Sequence, residues 1–245
     1  KIAPSQTAEE WDNTGLLIGD PDSETMRILL CLDVTDAVLR HAEKTKTGLC
    51  ISHHPLIYDP VRRLDISDPQ SKLIYDMIRS GIAYYVAHTN LDKCEGGVSD
   101  SLADIVQLRV TERQNDGGPV RYCETLPGDT LFGLYKRTCM KLGIPGCFIN
   151  FDSDRPTKKV AVSGGSYDPE WSQEIIRSGT DCILTGEMKH HEMLRSAGHG
   201  IAVIAAGHAA SERTVLKPLA AKLAEMMPGL SIAVDDGLDY NKVVS

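Results

Sequence analysis

The chain has 245 residues, 42% hydrophobic and 24% charged, a globular balance that excludes disordered, collagen-like and low-complexity readings. A chain of this length buries roughly 70–75% of its unfolded surface and needs no staple to fold. Twenty-six basic residues against 34 acidic ones give a net charge of −8, which argues against a nucleic-acid partner, since duplex binding needs a basic face.

The longest apolar run, Ile201 to Gly207, falls far short of the ~20 residues that span a bilayer. No signal-peptide pattern opens the chain. The seven cysteines are odd in number and include no Cys-x-x-Cys pair, so neither a disulfide framework nor a zinc knuckle is expected. Cys31, Cys50 and Cys182 lie in apolar runs and read as small hydrophobes. The expectation is a soluble cytoplasmic protein with no membrane partner.

In chain order, Arg27 to Asp33 is a continuous apolar run, the pattern of a strand covered on both faces. Thr35 to Lys46 follows as a helix and Leu49 to Ser52 as a strand. Asp68-Pro69 supplies an N-cap and first-turn proline for a helix to Ser80, closed by Gly81. Ile82 to Ala87 is a strand and Ser99 to Leu108 a helix. The polar, Gly-rich stretch from Arg113 to Pro119 is either a domain boundary or a plain surface loop; taken as a boundary, it divides two α/β units at 1–116 and 117–245.

The second half repeats the grammar. Thr130 to Leu142 is predicted helical with Gly143 as its stop, and Lys159 to Ser163 is a strand ending in Gly164-Gly165. Asp168-Pro169 opens a helix to Gly179. Strands at Asp181 to Thr185, Ile201 to Ala206 and Leu230 to Val234 alternate with helices at His190 to Ala197 and Ala209 to Met227. Such alternation predicts an α/β fold with parallel-rich mixed sheets.

Three segments carry candidate chemistry, each after an apolar strand, where α/β folds place their sites. Ser52-His53-His54-Pro55 offers two imidazoles. Neighbours on a strand point to opposite faces, so the pair suits two metals better than one; a hydrogen-bonded turn is the plain alternative. In His88-Thr89-Asn90-Leu91-Asp92, Asp92 offers a hard oxygen ligand and His88 suits orienting that ligand or a water; a turn with Asx chemistry is the alternative. In Gly207-His208-Ala209-Ala210-Ser211-Glu212, His208 and Glu212 stand i, i+4 on one helix face, a metal-binding spacing that also arises by chance. Three imidazoles and two carboxylates exceed what one catalytic zinc uses. Two cations about 3.5–4 Å apart would employ them all. The mixed donor set suits zinc, iron, manganese or nickel. Such a pair leaves net positive charge for an anion such as phosphate.

Glu187, at the end of a strand, is a candidate general base or a surface carboxylate. Asn13 reads as a positioning group or a turn residue. Ser163-Gly164-Gly165-Ser166 is either a tight turn or a phosphate cradle of backbone N–H groups. Lys189-His190-His191 reads as a solvent-facing helix start, and His41 and His199 have no partner in sequence.

These segments, together with Glu9-Glu10-Trp11-Asp12-Asn13-Thr14-Gly15 and Thr185-Gly186-Glu187, resemble the NIF-three-like proteins, known also as GTP cyclohydrolase 1 type 2 homologs. The resemblance runs in order along nearly the whole chain. It implies two interlinked α/β units with a dinuclear site in the cleft between them. It also implies two divalent ions bound by His53, His54, Asp92, His208 and Glu212, and a homohexameric ring. The activity it implies is metal-dependent hydrolysis of a nucleotide or phosphorylated small molecule, GTP ring opening at C8 being the one the family name suggests. The alternative is a non-enzymatic metal-binding scaffold or regulatory partner protein.

Overall fold

The computed structural model describes residues 2–236. The chain runs β1 (Gly15–Ile18), β2 (Arg27–Cys31), α1 (Asp36–Lys44), β3 (Leu49–Ser52), α2 (Pro69–Ser80), β4 (Ala83–Val86), α3 (Thr89–Lys93) and α4 (Val98–Ile105). It continues through β5 (Arg109–Arg113), β6 (Arg121–Glu124), α5 (Leu131–Leu142), β7 (Phe148–Ile149), β8 (Lys159–Ser166) and α6 (Ser172–Arg177). Then follow β9 (Cys182–Glu187), α7 (His190–Gly198), β10 (Ala202–Ala205), α8 (His208–Glu212), α9 (Leu216–Met226) and β11 (Ser231–Asp235). Local chemistry sets several ends. The Asp68 side chain accepts the Ser71 N–H ahead of Pro69, and Gly81 closes α2 at φ 70°. Thr130 caps α5 through the Gly133 N–H, and Gly143 ends it at φ 66°.

Among the described residues, the backbone clusters into one unit of residues 2–91 with 216–236 and another of residues 92–215. The first holds a five-stranded sheet in the order β1-β4-β3-β2-β11, parallel except for β1. Its core joins Leu29, Cys31, Cys50, Met77, Tyr84 and Val86. The run in β2 is buried from Ile28 to Cys31, as its continuous apolar pattern predicts.

The second unit holds six strands in the order β5-β6-β8-β9-β10-β7, with β8, β9 and β10 parallel and the remaining pairs antiparallel. Val160 and Val162 enter one apolar cluster with Leu102 and Leu131, while Ala161 enters another with Ile175 and Ile183. Successive residues of β8 therefore pack on opposite faces, and the sheet is covered on both. Within this unit Arg121 is fully buried; its Nε donates to Asp100 Oδ2 at 2.8 Å and its Nη2 to the carbonyls of Lys93 and Cys94 at 3.0 Å.

The observed units depart from a division at 116/117. β5 pairs β6 in the second sheet, and β11 returns from the far end of the chain to pair β2 in the first. The stretch 113–119 is a short connection between β5 and β6 rather than a boundary. Two helices are also less regular than their patterns suggest. Pro169–Trp171 is a 3-10 turn before α6, and Arg213–Val215 is another between α8 and α9. All seven cysteines are free thiols. Among the described residues no helix is long and apolar enough to cross a membrane.

Candidate metal centre

In the first unit β3 delivers the double histidine. The His53 and His54 N–H groups still bond to Cys31 and Leu32 carbonyls at 3.1 and 2.9 Å, but the chain bends there and regular pairing has ended. Strand alternation therefore does not force the two rings apart. Their centroids lie 4.9 Å apart, and His88 lies 5.2 Å from His53 and 5.6 Å from His54. One ring nitrogen from each of the three stands within 4.8 Å of the others.

Each imidazole is held through Nδ1. That of buried His53 donates to the Ala87 carbonyl at 2.9 Å. That of His54 donates to Asp33 Oδ1 at 2.8 Å, and that of His88 to Asp12 Oδ1 at 2.9 Å. With Nδ1 carrying the proton, the ring's lone pair resides on Nε2, the tautomer of a metal-ligating histidine backed by an outer acceptor. Burial alone would raise the Asp12 pKa, but the bonds from His88 and Thr89 outweigh it and hold the carboxyl at about 2.

In the second unit α8 places His208 and Glu212 one turn apart, with Nε2 3.1 Å from Glu212 Oε1. His208 Nδ1 contacts Glu187 Oε1 at 3.0 Å. Glu187 also accepts the Ser166 hydroxyl at 2.5 Å, and these two bonds hold its carboxyl below the usual range. That makes Glu187 a weak base and an effective support for the His208 ring. Asp92 is half-buried on α3.

Glycines let α8 lie close to the sheet. A β-carbon on Gly186 would meet Ser211 Oγ and the Gly165 carbonyl at 2.5 Å. The Gly164 and Gly165 N–H groups donate to Ser99 Oγ and Ser211 Oγ. They are thus already engaged, so the Gly-Gly pair is a floor for Glu212 rather than a phosphate cradle.

Sequence reasoning gave His88 a role in orienting a ligand or a water; its ring lies beside the His53 and His54 rings and is itself oriented by Asp12. The supports Asp12 and Asp33 were missed. Asp33 carried a usable signal, a carboxylate directly after a buried strand. Asn13 donates its side-chain amide to the Ile57 carbonyl at 2.6 Å. His190 and His191 are exposed at the start of α7. His41 has a partner that its sequence surroundings do not reveal, Asp235 Oδ2 at 2.6 Å from Nδ1.

The Duf34/NIF3 (NGG1p interacting factor 3) family profile matches residues 1–236. A Streptomyces coelicolor protein named GTP cyclohydrolase 1 type 2 homolog is 30% identical over 220 residues, covering 85% of this chain and 77% of its own. The Schizosaccharomyces pombe protein NIF3 homolog is 30% identical over 97% of this chain and 88% of its own. Among solved structures, Staphylococcus aureus protein SA1388 superposes with a TM-score of 0.89 at 26% identity, covering 99% of this chain and 95% of the other. Reduced HcgD from Methanocaldococcus jannaschii gives 0.79 at 27% identity, covering 98% and 94%.

Proposed function

The chain belongs to the DUF34/NIF3 family, and on that premise we propose that it is a dinuclear metal-dependent hydrolase acting on a nucleotide or phosphorylated small molecule. His53, His54, Asp92, His208 and Glu212 would hold two divalent cations, drawn from zinc, iron, manganese or nickel. One observation carries the reading: the three imidazoles of that set, those of His53, His54 and His208, each have Nδ1 engaged by a carbonyl or carboxylate oxygen. That is the outer support metal-ligating histidines receive. When bound, such a pair supplies Lewis acidity and lowers the pKa of water.

The protein's own groups divide the remaining work. Asp33, Asp12 and the Ala87 carbonyl fix three ring orientations, and Glu187 fixes that of His208. Glu187 was the sequence candidate for general base; its lowered pKa favours the supporting role. The names of the curated relatives make GTP the first substrate to test. A homohexameric ring and a cytoplasmic setting complete the proposal, the first taken from the family resemblance and the second from composition.

A non-enzymatic metal-binding scaffold is the second reading, favoured by the engagement of Glu187, which leaves no assigned base. One experiment separates them. The full chain is loaded with each of the four metals and assayed for hydrolysis of GTP, other nucleotides and sugar phosphates, beside His53→Ala/His208→Ala. Turnover lost in the double variant supports the enzyme. Two bound metals without turnover on any substrate support the scaffold, and a wild-type chain that binds no metal overturns both.

A further inference from the structure

Trp11 is one of only two tryptophans, and it is 59% exposed. The Tyr58 ring, 50% exposed, lies beside it with centroids 5.9 Å apart and planes inclined at 39°. On its other side Trp11 meets the His88 ring edge-on, at 6.2 Å and 74°. The aromatic pair therefore borders the three-imidazole cluster.

Both rings are free to solvent while the chain beneath them is tied down. Asp12, next to Trp11, accepts from His88 Nδ1 and from the Thr89 N–H and hydroxyl. Asn13 bonds the Ile57 carbonyl and so ties the Tyr58 loop to the Trp11 segment. Exposed aromatic rings forgo the free energy of burial. Rings left in water over a fixed backbone, beside a polar cluster, have the form of a preorganised binding surface. Their π-faces favour a flat ring system stacked or tilted against them.

We propose that Trp11 and Tyr58 form a stacking platform for the planar heterocycle of a nucleotide-like ligand, whose anionic end is held at the histidine cluster. This rests on the reading of that cluster as part of a metal centre and supplies the group that would read a base.

The test is calorimetric titration of the manganese-loaded full chain with GMP and with ribose 5-phosphate, which share the phosphate and differ by the base. GMP is expected to bind about tenfold more tightly. Trp11→Ala and Tyr58→Ala should each weaken GMP about tenfold and leave ribose 5-phosphate unchanged, with Trp11→Phe retaining most of the affinity. Fluorescence quenching by GMP should persist in Trp171→Phe and vanish in Trp11→Phe. Equal affinities for the two ligands, parallel losses of both in the variants, or no binding of either by a chain that holds metal would overturn the platform alone. A chain that takes up no manganese overturns the metal reading and the platform with it.

Discussion

A β-carbon on Gly165 would stand 2.2 Å from Glu212 Oε1, so this glycine and this carboxylate fit together only because the glycine has no side chain. Gly165 also sits at φ 63°, a conformation L side chains rarely adopt. Gly165→Ala is expected to cost about 1–3 kcal/mol and to weaken metal binding at least tenfold by displacing Glu212. Gly143→Ala is the control, because Gly143 has a similar φ of 66° and no atom within 4 Å of the added carbon. Thermal unfolding should register both variants, and equilibrium dialysis against metal only the first.

The Asp12 carboxyl, held at about 2 against an ordinary 3.8, gives a pH signature. A folded-state pKa below the unfolded one contributes stability that is present above pH ~4 and lost as pH falls towards 2. The gap corresponds to about 2 kcal/mol. In chelated protein, Asp12→Ala should therefore unfold more easily than wild type at pH 6, with the difference shrinking between pH 4 and 2. Urea titrations at several pH values measure this. A difference that does not change with pH would assign the loss to packing.

Glu187→Gln keeps the shape of the side chain and removes its charge. If Glu187 supports His208, metal affinity should fall about 10–100-fold while hydrolysis per bound metal is largely retained. A general base would give the opposite division, with full metal content and lost turnover. Metal analysis and rates on the same preparation distinguish the two.

On the two-metal reading, only the folded chain gathers the ligands, so metal stabilises it. At 100 times the dissociation constant one site adds about 2.7 kcal/mol, worth roughly 5–10 °C in a chain of this size. Chelation should lower the melting temperature by that order at pH 7.5. It should do so much less at pH 5, because ligand histidines must be neutral and their ordinary pKa is about 6.5. The His53→Ala/His208→Ala variant should show no response. Equal melting temperatures with and without chelator, in wild type known to hold metal, would exclude such coupling.

Much of this was legible because the signals were local. The Asp68-Pro69 start and Gly81 stop of α2, and the apolar run of β2, state their structure within a few residues. The four imidazoles were legible for the same reason, each following a strand. β1, β5, β6 and β7 were not read, since they are two to five residues long and β5 is largely exposed. Their conformation comes from the strands they pair with. The Asp12 carboxylate behind the His88 ring was invisible for a related reason. Asp12 is far from His88 in sequence, and only the fold brings them to 2.9 Å.

The pairing of β11 with β2 also dictates an order of events. Strand β2 is made early, but its neighbour Ser231–Asp235 emerges from the ribosome only after residues 92–215 of the second unit have been synthesised. At about 5–20 residues per second, that leaves one side of the first sheet open for on the order of tens of seconds. Among the described residues the second unit has its six strands by Ala205 and can fold in the meantime. The nascent first unit, by contrast, presents an unpaired strand edge of the kind that templates association with other chains. A product broken off before Ser231 would keep that edge permanently, which makes premature termination here a source of aggregates.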